Sequence, residues 1–135
     1  MTRMALLPTV ATLALAGSAC GGGHSHAGHS HRGAMQSPPL PGAREIRVEA
    51  RSFAFSPAEI HLKPGETANV VLAPADILHD LTVVGVPVHV VAEPGQTAAG
   101  GLTAPDRPGR YAFVCTVPGH REAGMAGVLV IDTPA

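Results

Sequence analysis

The sequence predicts an all-β sandwich or barrel, and three observations carry that expectation. Short runs alternate apolar and polar residues with period two, and Pro-Gly pairs separate them. No stretch of ten or more residues combines helical periodicity with good caps. Sixteen Gly and 13 Pro, against four aromatic residues (Phe53, Phe55, Tyr111 and Phe113), suit a turn-rich chain rather than one of long helices.

Taken in order, Ile46, Val48 and Ala50 alternate with Arg47, Glu49 and Arg51, the pattern of a half-buried strand. Ile60 and Leu62 alternate with Glu59, His61 and Lys63. Further strands are expected over 68–72, 80–84, 86–91, 96–102, 110–115 and 127–131. Pro64-Gly65, Pro94-Gly95, Pro108-Gly109 and Pro118-Gly119 provide turns between them. Such spacing argues for antiparallel packing of about 7–8 strands.

The folded unit is expected over 44–135, with two segments before it. Residues 1–19 hold Arg3, an apolar run from Leu6 to Ala16, and the small residues Gly17, Ser18 and Ala19. This reads as a signal peptide for export, too short for a spanning helix. Cleavage after Ala19 would expose Cys20, and Gly17-Ser18-Ala19-Cys20 resembles a bacterial lipoprotein box, although Gly17 stands where an aliphatic residue is usual. Cys20 is therefore expected to carry a lipid anchor, with ordinary cleavage at a small-residue site as the alternative. Residues 20–43 read as a disordered tether. Gly21-Gly22-Gly23 is flexible, and Pro38, Pro39 and Pro41 stiffen the end. Between them, His24, His26, His29 and His31 could hold Cu(II), Zn(II) or Ni(II) loosely. The domain is expected to work outside the cytoplasm.

Nine basic and 10 acidic side chains give a formal net charge of −1, without the clustered Lys and Arg of a nucleic-acid binder. Two cysteines cannot build a disulfide framework. Eight His in so short a chain ask for a metal. The answer lies in the loop after the 110–115 run, where Cys115, His120 and Met125 form the pattern C-x4-H-x4-M. A soft thiolate, an imidazole and a thioether in one loop, with another His from elsewhere, describe the His2Cys site with a weak axial Met that holds blue copper. Such a set is acceptable to both Cu(I) and Cu(II), so little rearranges on electron transfer. Pro118-Gly119 can return His120 to Cys115, and Gly124 is expected to let backbone approach closely before Met125. A chance pattern around a buried strand-end Cys is the competing reading. For the second imidazole, His61 and His89 each sit between apolar neighbours on a strand, with His61 facing solvent. His79 instead opens a strand after the loop 73–78, and is assigned to copper.

Phe53-x-Phe55-x-Pro57, Lys63-Pro64-Gly65-Glu66-Thr67, His79-Asp80-Leu81 and the loop from Cys115 to Met125 together resemble the cupredoxins over residues 44–132. The loop spacing is similar to that of the rusticyanin and sulfocyanin branch; plastocyanin-like loops have a shorter gap between Cys and His. The resemblance implies a Greek-key β-sandwich with one mononuclear type 1 copper under one pole and electron transfer as its task. It implies His79, Cys115, His120 and Met125 as ligands. It also implies that Asp80 ties the two ligand-bearing loops together through hydrogen bonds. Two departures stand out. Ala73-Pro74-Ala75-Asp76 occupies a loop where an Asn is often seen, and the shortage of aromatics leaves no aromatic docking patch to be read.

Related copper chemistries do not fit the residues. A binuclear centre needs two Cys in this loop, and Cys115 stands alone. Bridging to a second copper needs a His beside the Cys, and the neighbours are Val114 and Thr116. No paired carboxylates, Ser-His-Asp set or phosphate loop is present, so no enzyme is expected. The expected function is an extracytoplasmic monomer that carries single electrons between redox partners of the cytochrome or oxidase class, held at the membrane by its lipid. Two other readings stay open. One is a copper-handling envelope protein (buffer, chaperone or resistance factor) that uses the His-rich tether. The other is a partner-binding sandwich in which copper is a staple.

Overall fold

A computed structural model describes residues 36–135. The expected signal peptide, Cys20 and the four tether histidines His24, His26, His29 and His31 lie outside the described residues. Nine strands follow: β1 (Arg44–Arg51), β2 (Ala54–Ser56), β3 (Glu59–Leu62), β4 (Thr67–Pro74), β5 (His79–Val83), β6 (His89–Ala92), β7 (Ala98–Thr103), β8 (Gly109–Val114) and β9 (Ala126–Ile131). They form two facing sheets, ordered β2-β1-β4-β7 and β3-β9-β8-β5-β6. The all-β sandwich expected from the alternation is the observed fold.

Two details differ from the expectation. The additional strand, β2, has three residues, too few to show an alternation, and pairs back on Glu49–Arg51. The pairing is also not wholly antiparallel, because β1 lies parallel to β4 and β3 parallel to β9. The chain visits the first sheet with β1 and β2, the second with β3, and returns to the first with β4. Period two reports which face of a strand is buried, and carries no information about its neighbour.

The core lies between the sheets, where Val48, Leu62, Leu72, Leu81, Leu102, Phe113 and Leu129 are buried. Each such aliphatic or aromatic side chain contributes about 1.5–3 kcal/mol by leaving water. Phe55 of β2 and Phe113 of β8 meet edge to face across the two layers, with ring centroids 5.2 Å apart.

Residues 37–43, expected within the tether, are attached to the sandwich. The Ser37 N–H donates to the His89 carbonyl at 2.9 Å, and the Ser37 hydroxyl accepts from the His89 N–H at 3.0 Å. Gly101 N–H donates to the Pro38 carbonyl at 3.0 Å. The Asn69 side chain grips Leu40 through both its N–H (2.7 Å) and its carbonyl (2.9 Å). Since β6 and β7 are outer strands of different sheets, this strap spans the side between them. A Cβ at position 101 would lie 2.6 Å from the Leu40 side chain and 2.7 Å from the Pro38 carbonyl oxygen, so Gly101 is what admits the strap. Pro38, which reads as linker, serves here as a carbonyl acceptor on a sheet edge, where its missing N–H costs nothing.

Candidate metal centre

The pairing of β5 with β8 sets the site. Thr82 lies opposite Val114, so the start of β5 and the residue after β8 meet at one pole of the sandwich. His79 opens β5, and Cys115 follows β8. The chain then folds through tight turns. His120 N–H donates to the Val117 carbonyl at 3.0 Å, Met125 N–H to the His120 carbonyl at 3.0 Å, and Cys115 N–H to the Met125 carbonyl at 3.3 Å. These bonds return His120 to Cys115 and close the loop at its base. Gly119 and Gly124 have φ of +86° and +94°, where side chains with a Cβ are strained. Open space surrounds the Cβ position of Gly124, so its backbone angle explains that glycine, and the expected close approach is not what requires it.

The result is a buried triangle of donor atoms. His79 Nδ1 stands 3.1 Å from His120 Nδ1, Cys115 Sγ is 3.3 Å from His120 Nδ1 and 3.9 Å from His79 Nδ1. A point about 2 Å from all three atoms exists in their plane, close to ordinary metal–imidazole and metal–thiolate bond lengths. One sulfur and two imidazole nitrogens form the trigonal donor set that suits copper. The three side chains form the group of metal-binding type found among the described residues. Burial pushes the Cys115 thiol up to about 11, the pull of its backbone N–H donors being the smaller effect. Met125, expected as the axial donor, is fully buried and is tied by its backbone to both Cys115 and His120.

Three neighbours hold this arrangement. Asp80 accepts the Thr116 N–H on Oδ1 and the Thr116 hydroxyl on Oδ2, binding β5 to the residue after Cys115. Its own N–H points at Cys115 Sγ from 3.5 Å. Asp76 accepts the His79 Nε2–H on Oδ1 at 2.9 Å. That bond fixes the tautomer and leaves the Nδ1 lone pair facing the other donors. Asp76 also accepts from the backbone N–H groups of Ser52 at 2.7 Å and Ile77 at 2.9 Å. The Ser52 amide first, and His79 second, hold its carboxyl well below the usual carboxylate range. Phe53, in the turn anchored by the Ser52 bond, packs against the His120 ring in a T-shaped contact with centroids 5.1 Å apart.

Sequence reasoning missed Asp76 and Phe53 as parts of the site. Asp76, three residues before His79 in a loop that ends at the ligand, was the available signal. Phe53 offered none, because its contact with His120 depends on which loops share a pole. His61 faces solvent on β3 as expected, its ring between Glu59 at 2.9 Å and Asp132 at 3.1 Å. His89 lies outside the donor triangle, with its ring against Asp80.

A family model described as copper binding proteins of the plastocyanin/azurin family matches residues 43–132. The chain belongs to that family. Among solved structures this cupredoxin is similar to auracyanin B, at 19% identity over 75% of this chain and 97% of that one, with a TM-score of 0.63. It is also similar to auracyanin A, a blue copper protein of Chloroflexus aurantiacus, at 20% identity over 67% of this chain and 100% of that one, with a TM-score of 0.58. A copper nitrite reductase of Nitrosomonas europaea shares the fold too, at 16% identity over 71% of this chain and 52% of that one, with a TM-score of 0.58. At such identities the likeness establishes the fold alone. No curated protein sequence matches the chain. The cofactor of this cupredoxin is copper, and His79, Cys115 and His120 form the site of the type 1 kind among the described residues.

Proposed function

We propose that this cupredoxin carries single electrons between redox proteins outside the cytoplasm and is not an enzyme. The observation that carries this reading is the buried His79–Cys115–His120 triangle, held from two sides by Asp76 and Asp80. Bound copper supplies a one-electron couple between Cu(I) and Cu(II). His79 Nδ1, His120 Nδ1 and Cys115 Sγ would be its strong donors, and the Met125 thioether would supply a weak fourth one. Asp76 keeps the His79 Nδ1 lone pair presented, and Asp80 pins Thr116 and with it the Cys115 loop. Donors fixed by hydrogen bonds move little when the charge at the site changes, which favours electron exchange over substrate binding. Of the three, His120 alone reaches the surface, at 7% exposure, with the half-exposed Phe53 against its ring. Electrons therefore enter and leave by the Phe53–His120 side.

The segments before the strap fit a chain exported by residues 1–19 and anchored through lipid on Cys20, with His24, His26, His29 and His31 taking further copper weakly. Its partners are redox proteins of the cytochrome or oxidase class. The test is the mature, copper-loaded chain mixed with a reduced cytochrome c. The oxidised protein should be intensely blue through thiolate-to-copper charge transfer, and the colour should bleach as the cytochrome oxidises, with copper retained. A colourless protein at stoichiometric Cu(II) overturns the blue-copper reading. Copper lost to an apo acceptor, without electron exchange, would make the chain a copper-handling protein.

A further inference from the structure

We propose that His89 is a positioning residue for the copper site, acting through Asp80 on the loop that carries Cys115; the inference rests on the copper reading above and deepens it. His89 opens β6, an outer strand that supplies none of the three donors. The register sets it opposite Thr82 in β5 and Val91 opposite Asp80. His89 and Asp80 are thus diagonal neighbours on one face of the sheet, a relation that long side chains can bridge.

They bridge it. The His89 Nε2–H donates to Asp80 Oδ2 at 3.0 Å, with the two side chains 17% and 5% exposed. Asp80 thereby collects three donors on two oxygens: the Thr116 N–H on Oδ1, and the Thr116 hydroxyl and His89 on Oδ2. A carboxylate so enclosed is costly unless its lone pairs are met. The observed setting of the Asp80 side chain grips both donors of Thr116 and also meets His89, so the His89 bond favours the setting that holds the loop. Thr116 adjoins Cys115, and the backbone N–H of Asp80 points at the same sulfur. The imidazole is itself presented from a fixed backbone, since Ser37 of the strap bonds both the N–H and the carbonyl of His89. The order of action runs from the strap to His89, to Asp80, to Thr116 and to the thiolate.

The test uses the full mature chain with His89→Leu, His89→Gln and His89→Asn, each alone and with Asp80→Ala. In the copper-free protein, His89→Leu should speed hydrogen exchange at the Thr116 amide by roughly three- to tenfold, as expected for one lost hydrogen bond. In the copper-loaded protein it should weaken copper binding by about tenfold, the low end for outer partners of a metal ligand. It should also lower the reduction potential, because Asp80 without its imidazole donor leaves more negative charge beside the thiolate. His89→Gln, whose amide reaches as far as Nε2, should restore wild-type values. His89→Asn, too short to reach Asp80, should behave as His89→Leu and takes its place should that variant not fold. None of these changes should add to Asp80→Ala. Equal shifts with and without Asp80, or unchanged Thr116 exchange and potential in His89→Leu or His89→Asn, overturn the proposal. A chain that takes up no copper in any form would defeat the copper reading instead, and Thr116 exchange would still judge His89.

Discussion

His79 and His61 both lie on strands and both touch carboxylates, yet one lines the copper pole and the other a solvated flank. The difference lies in what each second nitrogen meets. His61 has Glu59 on Nε2 and Asp132 on Nδ1, so both nitrogens act as donors and the charged ring is favoured. Asp132 first, and Glu59 after it, raise its imidazole above the ordinary value. His79 has a carboxylate on Nε2 only, and its Nδ1 turns inward to His120 and Cys115. One carboxylate makes a histidine a better ligand, whereas one on each side makes it a cation.

The pH dependence of the two regions should differ most. Copper must displace the Cys115 proton, so affinity should rise about tenfold per pH unit from this group alone until pH nears about 11. Competition against a Cu(I) chelator from about pH 6 to 9 measures the slope, and a flat profile would mean that the thiol is already ionised. In the copper-free protein, the raised thiol value contributes stability that is complete below its ordinary value of 9.0 and lost as pH rises toward about 11. On the flank, His61 is raised as well. Its contribution is complete below its ordinary value of 6.5 and is lost as pH climbs through the higher folded value. Copper should abolish the alkaline loss and leave the one near neutrality. Unfolding curves of both forms across pH test this, and a copper-insensitive alkaline loss would place its origin outside Cys115.

Carboxylate removal sharpens the same contrast. Asp76→Ala should free the His79 ring to turn and change its tautomer, weakening copper by about 10–100-fold. Glu59→Ala should leave copper affinity untouched and move the unfolding midpoint only slightly, as exposed ion pairs do. Equal affinities in wild type and Asp76→Ala would show that the core alone orients His79.

The sequence made the copper loop legible because the loop spacing is local: Cys115, His120 and Met125 lie in one segment, and His79 stood out by opening a strand. Alternation likewise exposed the buried faces of β1 and β3. What it could not show were relations between distant segments. The parallel β1–β4 and β3–β9 pairs leave no mark on period two. The strap from Ser37 to Ala43 has the prolines of a linker, and its attachment is written in Asn69, Gly101 and the backbone of His89, far along the chain. Phe53 and His89 contact the site through His120 and Asp80, partners that only the folded topology supplies.

Met125 carries the smallest expected effect on binding and the finest distinction between pole and core. It is as fully buried as the core residue Leu129, so burial cannot separate a ligand from a packing residue. Its backbone bonds to Cys115 and His120 place it on the donor loop, and a thioether is the weak fourth donor such a site uses. Met125→Leu should keep copper and colour, since all three strong donors remain, and should raise the reduction potential, because losing a donor disfavours Cu(II). Met125→Gln should lower it, an amide oxygen being the harder donor. If Met125 were only packing, Leu would be nearly silent, because the two exchange at little cost in a core. Gln would then chiefly destabilise the fold by burying an unpartnered amide. Voltammetry beside unfolding curves separates the two cases: opposite potential shifts place the thioether on copper, and three equal potentials return Met125 to the core.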